Sequence, residues 1–90
     1  MNRTATLDKL KAISNPDRFH IMEILSRRKR FTPHSDLANS LNLAQSNLSH
    51  HLGRLTNSGW IEDKKVGRHM FYRMSDKSHF RSTKKMLEIG

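Results

Sequence analysis

Two leucine-bearing segments separated by three residues constrain this chain more than any other feature. Residues 35–41, SDLANSL, carry Leu37, Ala38 and Leu41, and Asn42-Leu43-Ala44 then interrupts the pattern. Residues 45–55, QSNLSHHLGRL, carry Leu48, Leu52 and Leu55 at i, i+4 and i+7. That spacing stacks the leucines along one side of a helix. With Leu48 at zero and an advance of about 100° per residue, Leu52 and Leu55 fall within about 40° of it. Ser46, Asn47, His50, Arg54 and Asn57 fall on the opposite half, and His51 lies on the flank, about 60° from the leucines. Two short helices with so brief a break between them are expected to form a helix-turn-helix spanning about residues 33–58.

The segments on either side complete the layout. Residues 5–13 bear Leu7, Leu10 and Ile13 at helical spacing. Asn15-Pro16 pairs a good cap with a residue suited to the first helical position, so a helix is expected over residues 16–26. Its Phe19, Ile21, Met22, Ile24 and Leu25 make it the element expected to be most buried. Thr32-Pro33 repeats the device and is read as the start of the next helix. After Gly59, residues 60–66 and 69–74 have strand character and are joined by Gly67-Arg68, a turn signal. Residues 77–89 read as a closing helix with Phe80, Thr83, Lys84 and Leu87 on one stripe. The fold expected is mainly α with a small β-hairpin (α+β): one winged helix-turn-helix domain over residues 1–90, with a wing at about 60–74 and terminal helices at about 5–13 and 77–89.

Lys and Arg outnumber Asp and Glu by 17 to 8, a formal charge of +9 on ninety residues. Such an excess on a small domain points first to nucleic acid. The acids are also placed selectively, with no carboxylate between Asp36 and Glu62. A helix approaching phosphates is free of local repulsion there. Its Ser, Asn and Gln side chains suit phosphates or base edges, and Arg54 suits a phosphate. Lys64, Lys65, Arg68 and His69 add charge around the hairpin turn, where a wing meets the backbone or the minor groove. Residues 27–30, Arg-Arg-Lys-Arg, are read in two ways. They offset the negative end of the preceding helix, and they add sequence-independent affinity for DNA.

Other chemistries find little support. Adjacent histidines diverge on a helix, whereas helical ligands for one ion sit three or four residues apart, and no Asp, Glu or Cys lies near to complete a metal site. No nucleophile, base and orienting group occur together, so an enzyme is not expected and no cofactor is nominated. His51 is read as a residue packing at the core edge and His50 as one facing the groove. The absence of cysteine excludes disulfides and thiolate ligands. No leader-like or membrane-spanning apolar run is present, so the cytoplasm, at the nucleoid, is the expected address and no membrane partner is expected. A domain this small is expected to gain stability from dimerisation.

KAISNPDRFHIMEIL resembles the helix-one to helix-two signature of the ArsR/SmtB family of small repressors. LANSLNLAQSNLSHHLGRLTNSGWIEDKKVGRHMFYRM resembles that family's helix-turn-helix and wing without a gap, so the likeness covers about residues 10–74. The resemblance implies that Gln45, Ser46, Asn47, Ser49 and His50 line the recognition surface and that Arg68 and its neighbours form the wing. It further implies a homodimer through the terminal helices, around Leu7, Leu10, Phe80 and Leu87, acting on double-stranded DNA. The chain departs from the family's metal-sensing members. Residues 35–41 lack the Cys-x-Cys pair, Asp76 and His79 are separated by two residues rather than one, and Glu88 is the other carboxylate nearby. Asn15 and Asp17 depart from the commoner Asp-Pro-Thr form, although Asn keeps the capping role. The expected function is a homodimeric repressor reading an inverted repeat, with the effector unknown. The alternatives are a winged-helix protein-interaction module and a non-specific architectural DNA-binding protein.

Overall fold

The computed structural model describes residues 3–89, with only the backbone at positions 5 and 89. Five helices and three strands follow in the order α1 (Arg3–Ile13), α2 (Pro16–Ser26), β1 (Thr32–Pro33), α3 (His34–Leu41), α4 (Gln45–Asn57), β2 (Ile61–Val66), β3 (His69–Met74) and α5 (Lys77–Ile89). Asn15 caps α2 as its type suggests. Its side-chain oxygen accepts from the amides of Asp17 at 2.9 Å and Arg18 at 3.1 Å, ahead of Pro16 in the first turn. The α3–α4 turn closes through Asn42, which sits at φ 54° in the left-handed region that Asn tolerates better than most residues.

Helix α4 ends in two nested bonds. The Trp60 amide donates to the Leu55 carbonyl at 3.0 Å and the Gly59 amide to Thr56 at 3.1 Å. Gly59, at φ 87°, supplies the conformation that this ending requires. Trp60 is thereby turned into the core, where its indole N–H donates to the Lys9 carbonyl of α1 at 2.6 Å. Its ring also meets Phe80 of α5 edge-on at 6.2 Å. One indole therefore joins α1, α5 and the base of the wing.

The hairpin carries a third strand where the sequence pattern suggests a helix start. Thr32 and Pro33 pair antiparallel with Tyr72 and Phe71, giving the sheet order β1-β3-β2. Thr32 is buried, its β-branched side chain suiting the inner face of the sheet. Pro33 tolerates the edge position because it has no ladder donor to lose. It occupies the cap position of α3 without a side-chain cap, and the helix proper starts at His34. Along the sheet, Thr32, Ile61, Tyr72 and Met74 lie buried. On the other face Arg73 pairs with Glu62 and stacks over Phe31 at 4.5 Å.

A second correction concerns Phe80. The ring is 2% exposed, packed against Trp60 and against Phe19 at 5.6 Å, so it belongs to the protomer's own core and not to a face between protomers. Among the described residues, the large apolar side chains left outside on the terminal helices are Leu7 (52% exposed), Leu10 (39%), Met86 (74%) and Leu87 (50%). No helix among the described residues is long and apolar enough to cross a membrane.

Candidate nucleic-acid interface

The orientation of α4 follows from which residues the core takes. Leu48, Leu52 and Leu55 are fully buried, against α2 and β2, while Gln45, Ser46, Asn47, Ser49, His50 and Arg54 are exposed. Among the six, Ser49 is tethered: its hydroxyl lies 3.1 Å from Nε2 of His34, on α3. His34 escapes a reading of the sequence because it is fifteen residues from Ser49 and fits no motif by itself.

His51 packs at the edge of the core, as its flank position suggests. Arg18 of α2 donates from Nη1 to its Nδ1 at 3.2 Å, and Nε2 faces the Asp17 carboxylate at 3.7 Å. An imidazole that accepts at Nδ1 carries its proton at Nε2, so the neutral ring fits both neighbours. Desolvation holds the His51 pKa below its ordinary value. Repulsion from Arg18 adds to this, the Asp17 carboxylate opposes it, and His50 contributes a smaller repulsion. Arg18 also donates from Nε to the Ala12 carbonyl at 2.5 Å. Burial, then repulsion from the nearby Arg54, lowers its pKa, and a guanidinium stays charged at neutral pH. This tie fixes α4 to the start of α2, and the sequence holds no local signal for it.

The wing turns through Gly67 at φ 62°, the first central position of a two-residue hairpin loop. Arg68 and His69 line a cleft of about 340 Å³ together with His34, Ser35 and Gln45. The first turn of α4 opens there with no side-chain cap at Ala44, and its amides have no intrahelical acceptor. Cations, uncapped amides and acid-free polar side chains suit an extended anion. Lys64 is not part of this cleft. Its ammonium sits 5.3 Å from the Phe31 ring on the outer face of the sheet, while Lys65 pairs across from Met70, next to the turn.

Two groups with metal-like spacing in the sequence have other duties. Asp76 accepts from the His79 amide at 3.1 Å and from the Ser78 hydroxyl at 3.0 Å, which caps α5 and lowers the carboxyl's pKa. His79 stacks on Trp60 with ring centres 5.0 Å apart. Among the described residues, no three His, Cys, Asp or Glu side chains are grouped to hold a metal ion.

The comparisons with known proteins converge on one family. No curated protein sequence matches the chain. Among solved structures, HlyU from Vibrio cholerae N16961 superposes with a TM-score of 0.80 at 26% identity, over 96% of this chain and 97% of HlyU. NolR from Sinorhizobium fredii gives 0.77 at 28% identity, over 96% and 84% of the two chains. A homodimeric winged helix-turn-helix DNA-binding domain, Mb0332 from Mycobacterium bovis, gives 0.79 over 96% and 78%; at 19% identity this likeness speaks for the fold alone. The model for the bacterial regulatory protein arsR family matches residues 15–63, more than half of the ninety, from the Asn15 cap into the wing. By this match the chain belongs to the arsR family of bacterial regulatory proteins, which are DNA-binding regulators of transcription and not enzymes.

Proposed function

We propose that the protein is a homodimeric repressor that binds an inverted repeat in double-stranded DNA sequence-specifically and occludes a promoter, acting in the cytoplasm at the nucleoid. The observation that carries this reading is the outer face of α4. Six exposed, acid-free side chains run along a helix whose leucines are all buried, and the face starts at the cleft beside Arg68 and His69. Gln45, Ser46, Asn47, Ser49, His50 and Arg54 take the major groove, with Ser49 held in place by His34. Lys65, Arg68 and His69 meet the flanking backbone, and Lys64 supplies charge from the sheet's outer face.

Leu7 and Leu10 on α1 and Leu87 on α5, with Met86, form the dimer face in this reading. It is supported by their exposure and by the homodimeric state of the Mb0332 domain. Residues 1–90 act as one domain. A two-fold axis sets the two α4 helices about one DNA turn apart, roughly 34 Å. If the dimer neutralises on the order of 8 phosphates, log K falls against log salt with a slope near −7. Selection of bound sequences from random duplex, run beside a measurement of mass in solution, tests the proposal. A two-fold symmetric consensus bound by two chains is expected. A uniform footprint, or a single chain per site, overturns it.

A further inference from the structure

The most highly charged loop of the molecule lies away from the α4 face. Strand β1 runs antiparallel to β3, with Thr32 opposite Tyr72 and Pro33 opposite Phe71. Its His34 end reaches the cleft beside Arg68 and His69. Its other end leads back to Arg27, Arg28, Lys29 and Arg30, beside the start of α5, where Lys77 donates to the Arg28 carbonyl at 2.5 Å. The six residues of β3 lie between the wing turn and the start of α5, about 17 Å at roughly 3.4 Å per residue.

All four side chains are exposed, and among the described residues none has a carboxylate within ion-pair distance. Offsetting the negative end of α2 accounts for Arg27, its C-cap residue. That effect fades within the last turn and does not account for Lys29 and Arg30. The loop borders a groove of about 320 Å³ that continues past Phe31 to Asp36. Such a groove is at the small end of ligand clefts and suits an extended chain. Base stacking is disfavoured because Arg73 and Lys64 already stand over the Phe31 ring, at 4.5 and 5.3 Å. Asp36 repels an anion at its own end and so directs negative charge to the four cations.

We propose that this loop and groove are a second polyanion surface, set apart from the α4 face, that takes an extended acidic segment of a partner protein. DNA and partner then bind together, because the four cations lie beside the start of α5 while the wing turn lies at the other end of β3. The inference stands apart from the DNA-binding reading, since failure to bind duplex defeats that reading and leaves this one to be tested on its own.

The test is fluorescence anisotropy of a labelled oligo-glutamate peptide, titrated with the full chain at physiological salt, free and saturated with duplex. The peptide is expected to bind both forms alike. The fourfold variant Arg27→Ser, Arg28→Ser, Lys29→Ser, Arg30→Ser should bind it roughly tenfold more weakly or worse. Arg68→Ser should bind it unchanged, and the fourfold variant should keep its discrimination between the selected duplex and an altered one. The double variant Arg28→Glu with Lys29→Glu also takes the loop from four positive charges to zero and should weaken the peptide to a similar extent. Displacement of the peptide by duplex, an equal loss in Arg68→Ser, or lost duplex discrimination in the fourfold variant assigns the loop to DNA and overturns the proposal. Absence of peptide binding does the same.

Discussion

Arg18 and His51 lie thirty-three residues apart and meet at 3.2 Å, the guanidinium donating to the imidazole Nδ1. The contact joins the capped start of α2 to the middle of α4. The neutral ring serves as the acceptor, and protonation removes that acceptor and sets a second cation beside Arg18. The proton state of one side chain is thus coupled to the anchoring of the exposed α4 face.

The first prediction follows from the depressed pKa of His51. A group with a folded pKa below its unfolded value adds stability above the unfolded value, about 6.5, and loses it as pH falls toward the folded one. Thermal stability should therefore decline below about pH 6.5, and His51→Gln should flatten that part of the profile. Melting temperatures across the window, followed by circular dichroism, check this. Identical slopes in both proteins would rule it out.

Removing the α2 cap should have a local and measurable cost. Asn15 satisfies two amides, so Asn15→Ala should lower stability by about 1 kcal/mol in urea unfolding, while Asn15→Asp should keep most of it. An Ala variant as stable as the parent would show that the cap contributes nothing.

Phe80 and Leu87 share a helix and should respond in opposite ways. Phe80→Ala empties core space and should cost about 3–5 kcal/mol. Leu87→Glu with Leu10→Glu should leave the protomer folded and halve the mass seen by analytical ultracentrifugation. A monomeric but stable Phe80→Ala would return that ring to the face between protomers.

The α4 face and the wing should divide specificity from affinity. Ser46→Ala and His50→Ala should each lose about 1–3 kcal/mol of discrimination between the preferred and an altered duplex. Arg68→Ala should weaken every duplex alike and make the salt slope shallower by about 0.9 for each phosphate left without its cation. Competition binding at several salt concentrations separates the two patterns.

Much of this architecture is legible from local chemistry. Asn15-Pro16 marks the start of α2, the α5 bounds follow from its stripe, and the leucine spacing orients α4. These features depend on neighbours within a turn or two of helix. What stays hidden depends on partners far along the chain. Thr32-Pro33 reads as a helix start because its strand character exists only opposite Tyr72 and Phe71. Phe80 shows its periodicity but not which surface covers it, and that is decided by Phe19 and Trp60. Of the candidate site, the exposed side chains of α4 are legible, whereas the supports behind them, His34 and Arg18, are not. Lys64 groups with the wing by proximity in sequence, but its cross-strand position draws it toward Phe31.

The indole of Trp60 holds the Lys9 carbonyl on one side and the rings of α5 on the other, directly after the end of α4. In the proposed dimer, joined through α1 and α5, that side chain acts as a rigid gauge. A change in the angle between subunits would then carry the two α4 helices apart or together, because Trp60 leaves little slack to absorb the rotation.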